Sequence, residues 1–335
     1  MKKIKKLLYL AIAGAVLASC GNNATKNEQK ESENSKEAET KVAENVSRVA
    51  YIARTQSDSF AAWLADEMVK EAGNYKDMKL EVFDGQADDN QENSAIENAI
   101  TNKFDVIIVQ PNNGEAQRPY VEQIVKEGIH AITTNARIAN IEGSSSVDAD
   151  PYEQAKVNCE LALEQVPKGA QVVVLNGPSG NFHADERRRA WEEEFFKKRP
   201  DVKIVGEQIA NWNKDEAVKY MEDWVTSVGK IDAVISMNDN MAAGAIEVIK
   251  DNDQYKDMLV YGVDGTPEAC LLIKDGSMTS TCLQSAIDLA KKNIELAHKL
   301  ITGGENTDEN IDAILITKDN VDEYIEMYKA RGLLK

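Results

Sequence analysis

The chain has 335 residues and a formal net charge of −18, from 57 acidic against 39 basic side chains. A surface this acidic repels nucleic-acid phosphates, and no basic patch with interleaved aromatics interrupts it. His130, His183 and His298 are too dispersed for a zinc site of recognisable spacing, and the three cysteines beyond residue 20 do not make a disulfide framework in a chain of this size.

Lys2, Lys3, Lys5 and Lys6 precede an apolar run, 7–17, which ends in Leu17-Ala18-Ser19-Cys20-Gly21. A basic start, a short apolar stretch and small residues at a cut are the parts of a secretory signal. The run is too short to span a bilayer. The cysteine at the cut resembles the lipobox of bacterial lipoproteins, which implies acylation of Cys20 and cleavage just before it; an ordinary secreted protein with an incidental cysteine is the alternative. Losing the signal's four lysines would take the charge from −18 to near −22. Residues 21–46 hold almost nothing large and apolar, so they cannot offset their ordering entropy and read as a tether about 25–30 Å from end to end. The folded body begins near Ser47.

From there short apolar runs alternate with amphipathic stretches. Strands are expected at 49–53, 80–83, 106–109, 131–134, 172–175, 202–208, 233–236, 259–263 and 279–283, and helices at 60–72, 91–102, 115–127, 152–165, 185–198, 215–228, 241–250 and 287–301. Val106-Ile107-Ile108-Val109 and Val172-Val173-Val174-Leu175 are apolar without alternation, as strands covered on both faces are. Strand, helix, strand, helix means an α/β fold with parallel, doubly wound sheets. The length suits two cores. Cys159, Cys270 and Cys282 read as small buried apolar residues, with a Cys270–Cys282 bridge as the alternative. Trp63, Trp191 and Trp224 fall on helical patterns and read as packing residues.

Ligands of open parallel sheets bind beyond the carboxyl ends of the strands. Polar and aromatic residues recur there: Arg54, Asp58 and Phe60; Gln110 and Asn112; Asn135 and Arg137; Asn181, His183 and Arg187; Trp212; Asn238 and Asp239; Asp264; Gln284. Each alone has a plain explanation, since Asn and Asp suit turns and helix caps and Trp suits a core.

Three segments carry a resemblance. Met237-Asn238-Asp239-Asn240-Met241-Ala242-Ala243-Gly244-Ala245 is followed by Tyr261-Gly262-Val263-Asp264-Gly265-Thr266-Pro267-Glu268-Ala269, and both are preceded by Gly177-Pro178-Ser179-Gly180 with Arg187 ten residues after its first glycine. From about Arg48 to Tyr328 the chain resembles type I periplasmic binding proteins of the ribose/galactose class, the substrate-capturing parts of sugar ABC importers. The resemblance implies two lobes, 47–150 plus 285–312 and 151–284 plus 313–335, hinged by strands crossing near Asp150, Gln284 and Ile314. It implies ligand contacts from Asp58, Phe60, Gln110, Asn135, Arg137, Asn181, His183, Arg187, Trp212, Asn238, Asp264 and Gln284. The family often has Asp-Arg where this chain has Thr134-Asn135-Ala136-Arg137, which favours Asn135 over Arg137. No calcium loop of the kind some members carry is present, and Asp150 before Pro151 suits a helix cap.

These residue types fit a small polyol. Ring faces carry C–H groups that pack on Phe60 and Trp212. Rim hydroxyls can donate to Asp58 and Asp264 and accept from Arg187, while Asn238 and Gln284 do both. The expected function is capture of a monosaccharide or cyclitol (hexose, pentose or inositol-like) by a monomer tethered to the bacterial cell membrane through lipid, and delivery to an ABC permease. A receptor that passes ligand state to a membrane sensor kinase is the alternative. An enzyme is not expected: there is no nucleophile elbow, no GxxxxGK[ST] loop and no metal spacing, and no cofactor is implied. A lactose-repressor-type regulator lacks support, because no basic helix-turn-helix precedes Ser47.

Overall fold

The unbroken apolar runs form the central strands of two parallel sheets. The computed structural model describes residues 46–335; the signal segment, Cys20 and all but the last residue of the tether lie outside the described residues. The chain begins with β1 (Ser47–Ala53), α1 (Ser59–Ala72), β2 (Met78–Asp84), α2 (Asp89–Thr101), β3 (Val106–Val109), α3 (Gly114–Lys126), β4 (His130–Thr134) and β5 (Ser144–Ala149). It continues through α4 (Pro151–Gln165), β6 (Gln171–Asn176), α5 (Phe182–Ala190), a π-helical turn over Trp191–Phe196, β7 (Lys203–Ile209), α6 (Lys214–Ser227), β8 (Ala233–Ser236) and α7 (Asp239–Ile249). It closes with β9 (Leu259–Asp264), α8 (Pro267–Asp275), β10 (Ser280–Leu283), α9 (Ala286–Ile301), β11 (Asp308–Ile311), β12 (Ile314–Ile316) and α10 (Val321–Ala330).

One six-stranded sheet has the order β11-β5-β4-β3-β1-β2 and the other β12-β10-β9-β8-β6-β7. All pairings are parallel except β10 with β12, where Cys282 faces Leu315. The chain therefore passes between the sheets three times: after β5, after β10, and between β11 and β12. β3 and β8 are buried along their whole length because helices cover both faces. The first of the three passages is fixed by Asp150, whose side chain accepts from the N–H groups of Tyr152 and Glu153 at 2.9 and 3.2 Å, with Pro151 opening α4.

Several expected elements differ in detail. β5, with the sequence Ser-Ser-Ser-Val-Asp-Ala, carried no apolar signal; its hydroxyls are tied to distant chain, Ser145 to Asn306 at 3.0 Å and Ser146 to Asp308 at 2.8 Å. α8 and α10 were also unpredicted, and the helix expected over 185–198 is α5 plus the π-helical turn. The cysteines Cys159, Cys270 and Cys282 are all buried and unbridged, so the Cys270–Cys282 disulfide does not form. Trp63 packs edge-on to Tyr328, Trp191 to Phe195, and Trp224 stacks on Tyr220, the packing roles expected of them. Among the described residues no helix is long and apolar enough to cross a membrane.

Candidate functional site

The carboxyl ends of both sheets' strands face one narrow cavity of about 30 Å³. Eleven of the twelve residues singled out from the sequence line it, and Arg54 is the twelfth wall residue. Arg54, Asp58, Phe60, Gln110 and Asn135 come from the first sheet's side, at the ends of β1, β3 and β4; the others come from the second.

On the first side, Asp58 caps α1 through Oδ1, which accepts from the Ala61 N–H at 2.8 Å, while Oδ2 pairs with Arg54. Phe60 sits in the first turn of the helix so capped, its ring edge-on to Trp63 at 6.1 Å between centroids. Gln110 is aimed by its oxygen, which accepts from the Tyr51 hydroxyl at 2.9 Å and the Arg54 N–H at 3.3 Å; its amide nitrogen is left for the cavity. Asn135 has φ +49°, a left-handed conformation that Asn tolerates. Its Oδ1 is buried without a partner, and such a group is costly unless something else supplies a donor.

On the second side, Asn181 caps α5 and Asn238 caps α7, each through Oδ1. Cap and ligand contact are compatible roles, because the Asn238 cap uses only the oxygen and leaves the NH₂ group free to reach the cavity. Arg187 is anchored by the side chain of Gln154 at 2.8 Å, that of Gln284 at 2.9 Å and the Met237 carbonyl at 2.7 Å. Its Nη2 also donates to His183 Nδ1 at 3.3 Å. Since arginine can only donate, Nδ1 is the acceptor and the His183 proton sits on Nε2, 2.8 Å from Asp148 Oδ1. Trp212 has φ +60°; the Asn240 amide holds its carbonyl at 2.8 Å, and its ring lies 5.6 Å from the Arg187 guanidinium.

Charge in the cavity is balanced: Arg54 with Asp58, and Arg187 with Asp264 at 3.7 Å. Burial pulls Arg54 down to about 10, against the opposing charge of Glu92. Burial pushes the Asp264 carboxyl well above the usual carboxylate range, with Arg187 opposing and Asp239 reinforcing the rise. With its charged side chains facing one another, the site's open valences are those of a polyhydroxylated ligand.

Arg137 does not join this cavity. The chain turns at Asn135 and Ala136, with φ +49° and +142°, and carries Arg137 into a separate hollow with Asn140 and Asp308. Its backbone N–H instead donates to Asp148 Oδ2 at 3.1 Å. Three residues behind or in the wall escaped the sequence reading. Arg54 was noted only as following a strand, and Gln154 and Asp148 sit in a helix and a polar strand where nothing marks them. Among the described residues no cluster of His, Cys, Asp and Glu is placed to hold a metal ion.

Two lobes of parallel sheet closing on a polar, aromatic-walled cleft define a binding protein of the hinged, ligand-capturing class. The family described as periplasmic binding protein domain matches residues 49–305, and the chain belongs to it. A xylitol-binding protein of Mycolicibacterium smegmatis is 28% identical over 235 residues, 70% of this chain and 67% of that one. A ribose import binding protein of Bacillus subtilis is 27% identical over 249 residues, 74% and 80% of the two chains. A solved ABC transporter solute-binding protein from Bacillus halodurans C-125 with bound myo-inositol superposes with a TM-score of 0.80 at 26% identity, covering 85% of this chain and 98% of that one. The family is one of extracytoplasmic binding proteins rather than enzymes, and the type I fold and the substrate-binding role expected from the sequence are both found.

Proposed function

We propose that the cleft captures a neutral monosaccharide or cyclitol and that the closed protein delivers it to an ABC permease. The observation that carries this reading is the composition of the wall: two aromatic rings, two internally balanced Arg–Asp pairs, and open amide and carboxylate valences converging on one small cavity. The wall residues act as the ligand set, with Arg54 added and Arg137 removed from the expected one, and with His183 lining the cavity while both its ring nitrogens are engaged by Asp148 and Arg187. The xylitol, ribose and myo-inositol named for the relatives have the same chemistry, and they support a ring or chain of hydroxyls as the ligand. The two sheets act as lobes, 47–150 plus 285–312 and 151–284 plus 313–335, and the three passages act as the hinge. The protein works as a monomer, held to the membrane through a lipid on Cys20; the sequence around Cys20 supports the anchor, and metabolic labelling with a fatty acid, lost in Cys20→Ala, tests it.

A thermal-shift screen against hexoses, pentoses, pentitols and inositols tests the ligand class. A stabilisation by at least one neutral polyol, absent with uronic acids and amino sugars, supports the reading; stabilisation by charged ligands alone contradicts it.

A further inference from the structure

We propose that Asp148 is a positioning residue for closure of the cleft: carried by the first sheet, it seats His183 of the second and holds the two lobes shut. Asp148 is the fifth residue of β5, is 1% exposed and does not line the cavity. Two of its bonds are within its own lobe, from the Ala149 N–H to Oδ1 at 2.8 Å and from the Arg137 N–H to Oδ2 at 3.1 Å. The third is His183 Nε2 at 2.8 Å, from the first turn of α5 in the opposite lobe. Two residues earlier, the Asn181 amide crosses the same gap to the Asn112 carbonyl at 3.3 Å.

His183 lines the cavity, yet both of its ring nitrogens are taken by protein, Nε2 by Asp148 and Nδ1 by Arg187. It therefore has no nitrogen left to address a ligand hydroxyl, and its polar chemistry joins the lobes. A bond to an ionised acceptor is among the stronger hydrogen bonds. It exists only when the lobes are closed, so it adds to closure a term that does not depend on which ligand lies inside. Contact residues such as Asp264 differ in this respect, because their worth varies with the hydroxyl they meet.

The inference rests on the proposed binding function, and the test separates the two. Calorimetric titration of wild type, Asp148→Ala, His183→Phe and the double variant uses the neutral sugars, pentitols and inositols that wild type binds. Asp148→Ala is expected to raise Kd about tenfold, by a common factor for every ligand and through faster dissociation. His183→Phe is expected to show a common factor of similar size, and the double variant to be no weaker than the worse single one. An unchanged Kd, factors that differ between ligands, or additive losses overturn the latch. Should Asp148→Ala fail to fold, a common factor in His183→Phe alone supports it and a ligand-dependent one overturns it. Should wild type bind nothing in the panel, the proposed function fails and the latch is read from ligand-free X-ray scattering. A larger radius of gyration for Asp148→Ala than for wild type then supports it, and superimposable profiles overturn it.

Discussion

A methyl group on Gly177 would stand 2.3 Å from Cζ2 of Trp212. The indole occupies the space that the missing side chain leaves, so the glycine of the loop after β6 sets how far the ring reaches over the cleft. Gly177 is absent from the residues with positive φ, and an alanine there meets no backbone penalty. Gly177→Ala is therefore expected to fold normally and to bind ligand at least about tenfold more weakly, because only the ring must move. Wild-type affinity by calorimetry would show that the ring's position is immaterial.

Removing the ring itself tests the wall. Trp212→Ala is expected to weaken binding by one to two orders of magnitude, about 1.4–2.8 kcal/mol. Phe60→Ala is expected to act in the same direction, with an added stability loss because Phe60 also packs on Trp63. A Trp212→Ala protein that titrates as wild type does would remove the indole from the site.

Asp264→Ala is expected to cost at least as much affinity as Trp212→Ala. It takes away a buried acceptor and leaves Arg187 without the carboxylate 3.7 Å away, and an arginine that is 2% exposed has no water to turn to. Retained affinity in this variant, with a normal thermal melt, would place Asp264 outside the contact set.

Glu92 gives the fold a pH dependence of its own. It is fully buried on α2, with Oε2 accepting from the Asn112 N–H at 3.0 Å and Oε1 unpartnered. Burial pushes its carboxyl up to about 8, the Asn112 N–H and Arg54 opposing the shift. A carboxyl raised on folding favours the protonated native state, so its contribution is intact at low pH and is lost as pH rises through about 8. Glu92→Gln is expected to match wild type near pH 5 and to melt roughly 5 °C or more higher near pH 8. Parallel melting curves at the two pH values would show that Glu92 does not titrate in this window.

Legibility in the sequence followed physical cause. Strands covered on both faces announce themselves by unbroken apolar runs, and β3, β6 and β8 were read from theirs. The wall residues were legible because nearly every strand ends in one, and because the Asn-Asp and Gly-x-Asp-Gly segments carry their own signature. β5 was hidden because its serines are satisfied by residues about 160 positions away, a pairing that no local pattern contains. Asp148 was hidden with it. Arg137 was misplaced because two successive left-handed residues redirect the chain just before it, and composition does not report φ. Arg54 was passed over as one more polar strand end, since nothing local shows that Asp58 and Glu92 flank it in the buried wall.

A crystal structure of the protein with the tightest ligand from the screen tests the central claim most directly. The account predicts a neutral ring or polyol chain between Phe60 and Trp212, its hydroxyls within hydrogen-bond distance of Asn135 Oδ1, Asn238 Nδ2 and Asp264. A ligand seated in the Arg137 hollow, or one bound with the space between Phe60 and Trp212 empty, would contradict it.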